Sequence, residues 1–566
     1  MPPLSWNEIK DRALAFSREW AKESSEDAEA KSFWDQFFNV FGVPRRRVAT
    51  FETPVTKQDG HQGYIDLLWK GVILVEHKSR GKDLDRAYTQ AVDYFPGIAE
   101  RDLPRYVLVS DFARFRLHDL ESPEPPKDFL LADLHKHIGL FGFISGYETR
   151  PVRPQDPVNL KAAERMGRLH DALKESGYDG HALEVLLVRL LFCLFADDTG
   201  IFQPAQSFRE CLENLTAEDG RHLGSVLTQI FQALNTPAEK RQKILDDELA
   251  AFPYVNGKLF AELLPIPIFN RAMRESLLDA CALDWGLISP AIFGGLFQSI
   301  MDEKKRRNLG AHYTSETNIL KLIGPLFLDR LRAEFEAARP SERKLRELQA
   351  RLRLLTFLDP ACGCGNFLVV AYRELRQLEF DILRALSGTN RVLDISALLQ
   401  VNVDQFFGIE IEEFPAQVAQ VALWLTDHQM NLRVGQEFGQ YYARLPLTTS
   451  ATIENQNALA IDWASIVPAD RLKYILGNPP FVGKKEQTPR QKADLISVFG
   501  GTKGANLLDY VTGWYLKAAA TLEGNPEIRC AFVSTNSITQ GEQPCVLWPK
   551  LWKRGMNIYF AHRTFR

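Results

Sequence analysis

Three apolar segments in the C-terminal half of the chain each end at a polar side chain. They read LLTFLDPACGCGNF from 354, FFGIEIEEF from 406 and KYILGNPPF from 473, and their polar ends are Asp359, Glu410 and Asn478. Apolar runs that alternate with helical patterns predict a mostly parallel sheet covered by helices, as in doubly wound α/β folds. Ligands bind such sheets at the carboxyl ends of the strands. The pattern therefore predicts one ligand site assembled from three separate stretches.

The loop after the first of these strands favours a nucleoside ligand. Gly363 and Gly365 let the backbone approach a ligand closely. The loop matches neither GxGxxG nor GxxxxGK[ST], which disfavours a phosphate cradle and a dinucleotide site. Glu410, at the tip of the second strand, stands where a ribose diol would be held. Cys362 and Cys364 form a CxC pair without a second pair, which is a poor zinc site.

The NPPF segment predicts chemistry on an exocyclic amine. The side-chain carbonyl of Asn478 and the backbone carbonyl of Pro479 can accept both amine hydrogens, in a turn fixed by Pro479 and Pro480. Phe481 can stack on the base, which must have left the duplex for its amine to be reached. An isolated NPP tripeptide is also typical of a plain turn, so the motif carries weight only together with the other two strand ends.

In these motifs and in their order the chain resembles the gamma-class DNA adenine-N6 methyltransferases. RRNLGAHYTSE, residues 306–316, corresponds to the leading segment of that family. The resemblance implies S-adenosylmethionine as cofactor, with Tyr313 and Thr314 along its methionine part and Asn457 against its adenine. It also implies that the remaining cofactor-binding residues are Asp359, Pro360, Ala361, Gly363, Gly365, Phe367 and Glu410.

A second set of polar residues lies in an N-terminal α/β unit. Segments 63–69, 72–78 and 106–110 predict strands, and 82–95 predicts a helix. Asp66 is placed at the end of one strand, while Glu76 and Lys78 share one face of the next and His77 points to the other. Asp66 and Glu76 are hard oxygen ligands suited to Mg²⁺, and Lys78 can position the attacking water.

This second set resembles the PD-(D/E)xK nucleases, with Gln90 and Tyr94 sharing a helix face as in their RecB-like branch. The resemblance implies Asp66, Glu76, Lys78 and Gln90 as catalytic residues and Asp66 and Glu76 as Mg²⁺ ligands. An ExK pair on a strand is also an ordinary solvated ion pair, and that alternative remains open at this point.

The chain as a whole is predicted to be an α/β multidomain protein in three parts. Residues 1–152 form the nuclease unit, which ends in proline-rich stretches, 153–304 a helical spacer, and 305–566 a Rossmann-like class I methyltransferase domain. The apolar stretch 183–195 contains two charges and is too short to cross a bilayer, so we expect a buried helix and no membrane association. Seven cysteines without paired spacing indicate reduced thiols in a bacterial cytoplasm. The net charge of −4 neither favours nor excludes a nucleic-acid partner.

Along its whole length the chain resembles the type IIL single-chain restriction-modification enzymes. That resemblance implies methylation of adenine in a specific site of double-stranded DNA with the base flipped out, cleavage at a fixed distance, and dimerisation on DNA for cleavage. Such enzymes continue past a segment like NIYFAHRTF into a target-recognition domain, so we expect this chain to lack base readout. The alternatives are a methyltransferase-only defence protein and an inactive truncated fragment or DNA-binding scaffold.

Overall fold

The structure is a computed structural model of the chain, described over residues 4–23, 26–57, 60–122, 124–145, 157–255, 259–290, 314–387, 398–438 and 451–562. Within these ranges two separate sheets are joined by an all-helical segment. The sequence predicted this order of an α/β unit, a helical spacer and a second α/β unit. Both predicted domain boundaries, near 152 and 304, lie outside the described residues and stay predictions.

The N-terminal part contains a six-stranded sheet in which the strands follow one another in chain order. Only the β3–β4 pair is parallel, because α3 connects those two strands, and the other pairs are antiparallel. Its elements are α1 (Trp6–Glu19), α2 (Glu26–Val40), β1 (Thr50–Thr56), β2 (Gln62–Trp69), β3 (Ile73–His77), α3 (Leu84–Asp93), β4 (Tyr106–Ser110), β5 (Arg114–Asp119), β6 (Lys127–Leu130) and α4 (Leu134–His137).

Each face of this sheet has its own apolar core. An aromatic cluster from α1 and α2, including Phe33, Trp34 and Phe37, covers one face. Helix α3 covers the other, where Leu74 and Val107 are buried. The alternation along β3 sends Glu76 toward the α3 face and His77 toward the aromatic cluster, as the sequence predicted.

The middle of the chain is helical throughout its described residues. Its helices are α5 (Pro157–Glu175), α6 (Gly180–Asp198), α7 (Ser207–Leu215), α8 (Leu223–Asn235), α9 (Asp247–Ala250) and α10 (Arg271–Cys281). Helix α6 contains the apolar stretch noted above and is buried over nearly its whole length, as predicted. No helix in the described ranges is both long and apolar enough to cross a membrane.

The C-terminal part forms a five-stranded, fully parallel sheet in the order β11-β10-β7-β8-β9. Side chains alternate between its two faces, so that Phe357 and Phe406 enter one core while Leu358 and Phe407 enter the other. Its elements are α11 (Glu316–Ile323), α12 (Asp329–Ala338), α13 (Glu342–Leu352), β7 (Phe357–Asp359), α14 (Asn366–Ser387), β8 (Phe406–Glu410), α15 (Glu413–Phe438), β9 (Thr452–Asn455), β10 (Tyr474–Gly477), α16 (Pro489–Phe499), α17 (Thr512–Gly524), β11 (Arg529–Phe532) and α18 (Gln543–Lys553).

The helical segment and the parallel-sheet unit share one continuous apolar core. Residues of α6, α14 and α15 belong to the same buried cluster. Phe192 on α6 stacks on Trp424 of α15, with ring centroids 5.1 Å apart. His428 of α15 reaches the backbone carbonyl of Thr199, just past α6, at 2.8 Å. Burial of this shared surface from water holds the two segments together as one body.

Candidate functional site

The order of the parallel strands creates a crevice between β7 and β10. The chain runs from β7 through β8 to β9 on one side and then returns to place β10 on the other side of β7. Such a reversal is the usual ligand-binding point of a doubly wound sheet. Asp359 ends β7, Glu410 ends β8, and Asn478 follows β10 directly, so the three predicted residues lie along one carboxyl edge.

Asp359 is a fully buried carboxylate at the centre of this edge. One oxygen accepts a hydrogen bond from the Ala361 N–H at 3.0 Å. The other, Oδ2, is buried and has no hydrogen-bond partner among the described residues. Burial raises the pKa of Asp359 to about 8, and the nearby Glu410 carboxylate acts in the same direction. A buried carboxyl group with one oxygen to spare fits a cationic or hydrogen-bond-donating ligand.

Glu410 ties the glycine loop to the neighbouring strand. Its two oxygens accept hydrogen bonds from the N–H groups of Gly363, at 2.9 Å, and Glu412, at 3.0 Å. Burial raises the pKa of this carboxyl group, and the backbone hydrogen bonds oppose the rise. The loop is held from its other side by Trp514, whose indole N–H donates to the Pro360 carbonyl at 2.9 Å.

Two glycines of this edge are required by close approaches. Gly477 has φ +150°, and a Cβ there would lie 2.3 Å from Oδ1 of Asp359. Gly365 has φ +83°, and a Cβ there would lie 2.9 Å from the Cβ of Ala419 on α15. The first contact brings the NPPF strand against Asp359, and the second lets α15 pack under the loop.

The structure brings the leading segment to the NPPF segment. The side-chain amide of Asn478 donates from Nδ2 to the hydroxyl oxygen of Thr314 at 2.9 Å, across 164 positions of sequence. This bond orients the Asn478 amide so that its carbonyl oxygen points away from Thr314. Thr314 is buried, whereas Tyr313, predicted beside it, lies outside the described residues.

The other predicted residues of the site differ in how far their side chains are buried. Pro479 is buried, while Pro480 and Phe481 are half-buried, with Phe481 against the core on that face of the sheet. Phe367, on α14 just after the loop, is buried in the shared core. Ala361 is half-buried in the loop itself.

Asn457 lies just past β9 and already has two partners. Its Nδ2 donates to Asp494 on α16 at 3.1 Å, and its Oδ1 accepts from the Leu459 N–H at 3.0 Å. Asp494 also accepts from the Tyr510 hydroxyl at 2.8 Å. Sequence reasoning identified Asn457 but missed Asp494, Tyr510 and the loop-holding Trp514. These residues carry no local motif, and only the fold brings them to the edge.

The N-terminal unit brings its predicted residues together on the α3 face of the sheet. Lys78 Nζ donates to Oε1 of the fully buried Glu76 at 2.6 Å, and Gln90 Nε2 donates to the Tyr94 hydroxyl at 2.8 Å. Burial raises the pKa of Tyr94, and the charges of Glu76 and Asp66 add to that rise. The Tyr94 hydroxyl therefore lies in the field of both carboxylates.

Asp66 differs in position from the prediction. It lies inside β2, three residues before the strand ends, and not at its end. In a regular strand, residues two apart face the same side of the sheet. Here Ile65 faces α3 while Leu67 faces the aromatic cluster, so the alternation of side chains along β2 is interrupted at Asp66. Opposite Asp66 in register is Glu52, whose φ of +51° is strained for a residue with a side chain. This irregularity, which hydrophobic periodicity does not show, lets Asp66 Oδ2 accept the His77 N–H at 2.6 Å.

Two carboxylates and a lysine fit a magnesium ion better than they fit a transition metal. The described residues contain no group of three or more His, Cys, Asp or Glu side chains arranged to hold a metal. Mg²⁺ keeps several waters and commonly binds through one or two carboxylates together with substrate phosphates. His77 is not a ligand of this site, because its ring lies on the opposite face of the sheet among aromatic side chains. Burial there, aided by the charge of Lys78, lowers the pKa of His77 to about 3.

Three family models match successive parts of the chain. They are described as the N-terminal domain of MmeI, matching residues 11–176, the helicase spacer domain of MmeI, matching 181–260, and the DNA-methyltransferase domain of MmeI, matching 335–566.

Two individual proteins match the chain over different lengths. A DNA methyltransferase A of Bacillus subtilis (strain 168) is 35% identical over 543 residues, which are 94% of this chain and 60% of that protein. A putative type II restriction enzyme and methyltransferase of Methanocaldococcus jannaschii is 25% identical over 290 residues, covering 43% of this chain and 24% of that protein.

Among solved structures, that of the type IIL restriction-modification enzyme MmeI in complex with DNA has 64% sequence identity and a TM-score of 0.68, covering 71% of this chain and 54% of that one. The chain thus spans less than two thirds of the length of these relatives.

The two loop glycines provide a matched test of the packing described above. Gly363→Ala places a side chain at φ +54° in open space, so it should lower the free energy of unfolding by only about 1 kcal/mol. Gly365→Ala adds a collision with the Ala419 backbone and should cost roughly 2–4 kcal/mol in total. Urea unfolding followed by tryptophan fluorescence measures both. Equal stability of the two variants would contradict the close approach of α15.

Proposed function

Because the chain belongs to the MmeI family of type IIL restriction-modification enzymes, we propose that it methylates N6 of adenine in DNA with S-adenosylmethionine and cuts DNA with its N-terminal unit. The cut would fall at a fixed distance from the specific DNA sequence that contains the target adenine. The domains responsible are 1–152 for cleavage, 153–304 as spacer and 305–566 for methyl transfer.

The observation that carries the methyltransferase proposal is the meeting of Asp359, Glu410 and Asn478 at one carboxyl edge. The buried Asp359 carboxyl fits the cationic methionine end of the cofactor, and Glu410 fits the ribose hydroxyls. Asn457 follows β9, the strand next to that of Glu410, and Thr314 contacts Asn478. Bound there, S-adenosylmethionine supplies an activated methyl group.

The chain's own residues prepare the adenine for that methyl group. The N6 lone pair is delocalised into the ring, so the amine must be drawn out of conjugation. The carbonyl oxygens of Asn478 and Pro479 would accept its two hydrogens, with the Asn478 amide oriented by Thr314. Phe481 would stack on the flipped base and keep the amine in place.

Replacement of Asn478 separates chemistry from cofactor binding. Asn478→Ala removes one hydrogen-bond acceptor that acts on the reacting amine, so methyl transfer should fall by roughly 100-fold or more. S-adenosylmethionine affinity should remain near that of wild type, because Asn478 is assigned to the base. Label transfer to adenine-containing DNA and calorimetric titration measure the two quantities, with the exposed Asn557→Ala as control. Methylation by Asn478→Ala at the wild-type rate would overturn the assignment.

Cofactor affinity should depend on pH through Asp359. With a pKa of about 8, this carboxyl is largely protonated at pH 7 in the ligand-free protein. A cationic ligand favours the ionised form, so binding releases a proton. The affinity should therefore rise with pH up to about 8, by at most about tenfold per unit, and level off above it.

Calorimetric titrations of S-adenosylmethionine between pH 6 and 9 measure this dependence. In Asp359→Asn the affinity should be weaker and nearly independent of pH. A wild-type affinity that does not change over this range would exclude Asp359 as the partner of the cofactor's positive charge.

The nuclease proposal rests on Asp66, Glu76 and Lys78 meeting Gln90 and Tyr94 on one face of the N-terminal sheet. Asp66 and Glu76 would hold Mg²⁺, and Lys78 would position the attacking water. The partner is double-stranded DNA, and two copies would meet on it for double-strand cleavage.

The relative from Bacillus subtilis supports a second candidate, a methyltransferase whose N-terminal unit does not cut. That protein is named as a methyltransferase and matches 94% of this chain, including the N-terminal unit. Loss of cutting is compatible with an intact fold, because Glu76 and Lys78 also form a partly buried ion pair.

Substitution of Glu76 discriminates between these candidates. Glu76→Gln should reduce Mg²⁺-dependent cutting of supercoiled plasmid by at least roughly 100-fold, because one of two metal ligands loses its charge. Glu100→Gln, an exposed glutamate of the same unit, should cut like wild type. If no cutting is seen in wild type with Mg²⁺ and S-adenosylmethionine, while methylation is intact, the methyltransferase-only candidate is favoured.

A further inference from the structure

The N-terminal unit contacts the spacer mainly through charged side chains, whereas the spacer contacts the parallel-sheet unit through apolar side chains. The spacer and the parallel-sheet unit share one apolar core, whereas the N-terminal sheet keeps its own cores on its two faces. Ala205 of the spacer packs at the margin of the aromatic cluster. Lys70, Arg101 and Asp102 of the N-terminal unit form ion pairs with residues of the spacer.

Arg209 on α7 is at the centre of these ion pairs. Its side chain is only 2% exposed. One guanidinium nitrogen, Nη2, binds Asp102 of the N-terminal unit, and Nε binds Glu213 one turn further along α7, at 3.0 Å. Glu213 also accepts from Lys70 of the N-terminal unit at 3.1 Å. Lys70 and Asp102 of the N-terminal unit thus pair with Glu213 and Arg209 of the spacer, one positive and one negative charge from each side.

A second bridge lies beside the first. Arg101 of the N-terminal unit binds Glu275 on α10 and lies 3.5 Å from Asp279 of the same helix. We call the residues Lys70, Arg101, Asp102, Arg209, Glu213 and Glu275 the interdomain ion-pair cluster.

The cluster holds the turn of the hairpin that carries the proposed metal ligands. Lys70 and Gly71 form the turn between β2 and β3, and the Gly71 N–H donates to the Asp102 carbonyl at 2.9 Å. The same two strands carry Asp66 and Glu76. Movement of the turn therefore moves the proposed catalytic carboxylates with it.

On the spacer side of the cluster, helix α7 is held in place by helix α6. Asp197 of α6 accepts the N–H groups of Phe208, at 2.8 Å, and Arg209, at 3.1 Å, and so holds the start of α7. Helix α6 belongs to the core shared with α15. An unbroken series of contacts thus runs from the methyltransferase unit through α6, α7 and Arg209 to the hairpin.

We infer that the interdomain ion-pair cluster is a positioning device, which fixes the orientation of the nuclease hairpin relative to the methyltransferase unit and releases it when the ion pairs are broken. An apolar interface would hold the unit regardless of ionic strength, whereas ion pairs weaken as salt screens them. Buried Arg209 gives the cluster a defined geometry, since a displaced partner would leave an unpaired charge inside the protein.

The test is small-angle X-ray scattering of the whole chain at low and high salt. The double variant Lys70→Glu, Arg101→Glu reverses two partly exposed charges of the cluster and spares the buried arginine. At about 0.1 M NaCl its maximum dimension should exceed that of wild type by on the order of 10 Å, because a unit of about 150 residues swings free. Wild type at about 1 M NaCl, where the screening length is about 3 Å, should expand by less than the double variant. Salt screens the partly exposed Lys70 and Arg101, whereas the buried Arg209–Asp102 pair is screened much less.

Two controls distinguish release of the N-terminal unit from a general loss of folded structure. Lys127→Glu reverses an equally exposed lysine that pairs within the N-terminal unit, with Glu124, and should scatter like wild type at both salt concentrations. Arg101→Glu expands the protein, and the added change Glu275→Arg should restore the compact form. Hydrogen exchange of the turn at 69–72 should be at least tenfold faster in the double variant than in Lys127→Glu.

Scattering curves of the double variant that superimpose on wild type and Lys127→Glu would overturn the inference, as would an expansion that Glu275→Arg fails to reverse. Any effect of the interdomain ion-pair cluster on DNA cleavage rests on the proposed nuclease function. The scattering and exchange measurements need neither DNA nor Mg²⁺, so a failed nuclease assay beside a positive scattering result would count against the proposed function alone.

Discussion

The parallel alignment of β7, β8 and β10 is the constraint on which the C-terminal site depends. Parallel strands end at the same edge, so the polar residues that follow them meet although 51 to 119 positions of sequence separate Asp359 from Glu410 and Asn478. The contact of Gly477 with Asp359 shows how tight that edge is, because a side chain at this position would collide with the carboxylate. The burial of Asp359 and the position of Asn478 beside it follow from this one arrangement.

The parallel-sheet unit and the N-terminal unit are joined to the spacer by different forces. Between the spacer and the methyltransferase unit, aromatic and aliphatic side chains such as Phe192 and Trp424 form a continuous core that does not depend on charge. Between the spacer and the N-terminal unit, a buried arginine and its carboxylate partners set the geometry. Charged contacts specify an orientation but respond to ionic strength, which apolar burial resists.

Much of the architecture was predictable because the strands carry strong patterns. Strands predicted at 63–69, 72–78 and 106–110 appear as Gln62–Trp69, Ile73–His77 and Tyr106–Ser110, and the helix predicted at 82–95 appears as Leu84–Asp93. The opposite faces of Glu76 and His77 followed from strand alternation alone. The irregularity at Asp66 was missed, because a reversal of alternation opposite a positive-φ residue leaves no trace in hydrophobic periodicity.

The sequence by itself determined the fold class, the order of the parts and the polar residues at the strand ends, because these depend on local apolar patterns and on short motifs. Only the tertiary structure decided that Thr314 orients Asn478, that Asp494 and Tyr510 contact Asn457 as a linked set, and that Arg209 joins the spacer to Asp102 of the N-terminal unit. Each of these contacts joins residues from different elements, and the pairing of two polar side chains across a fold is set by packing geometry that neither local sequence encodes.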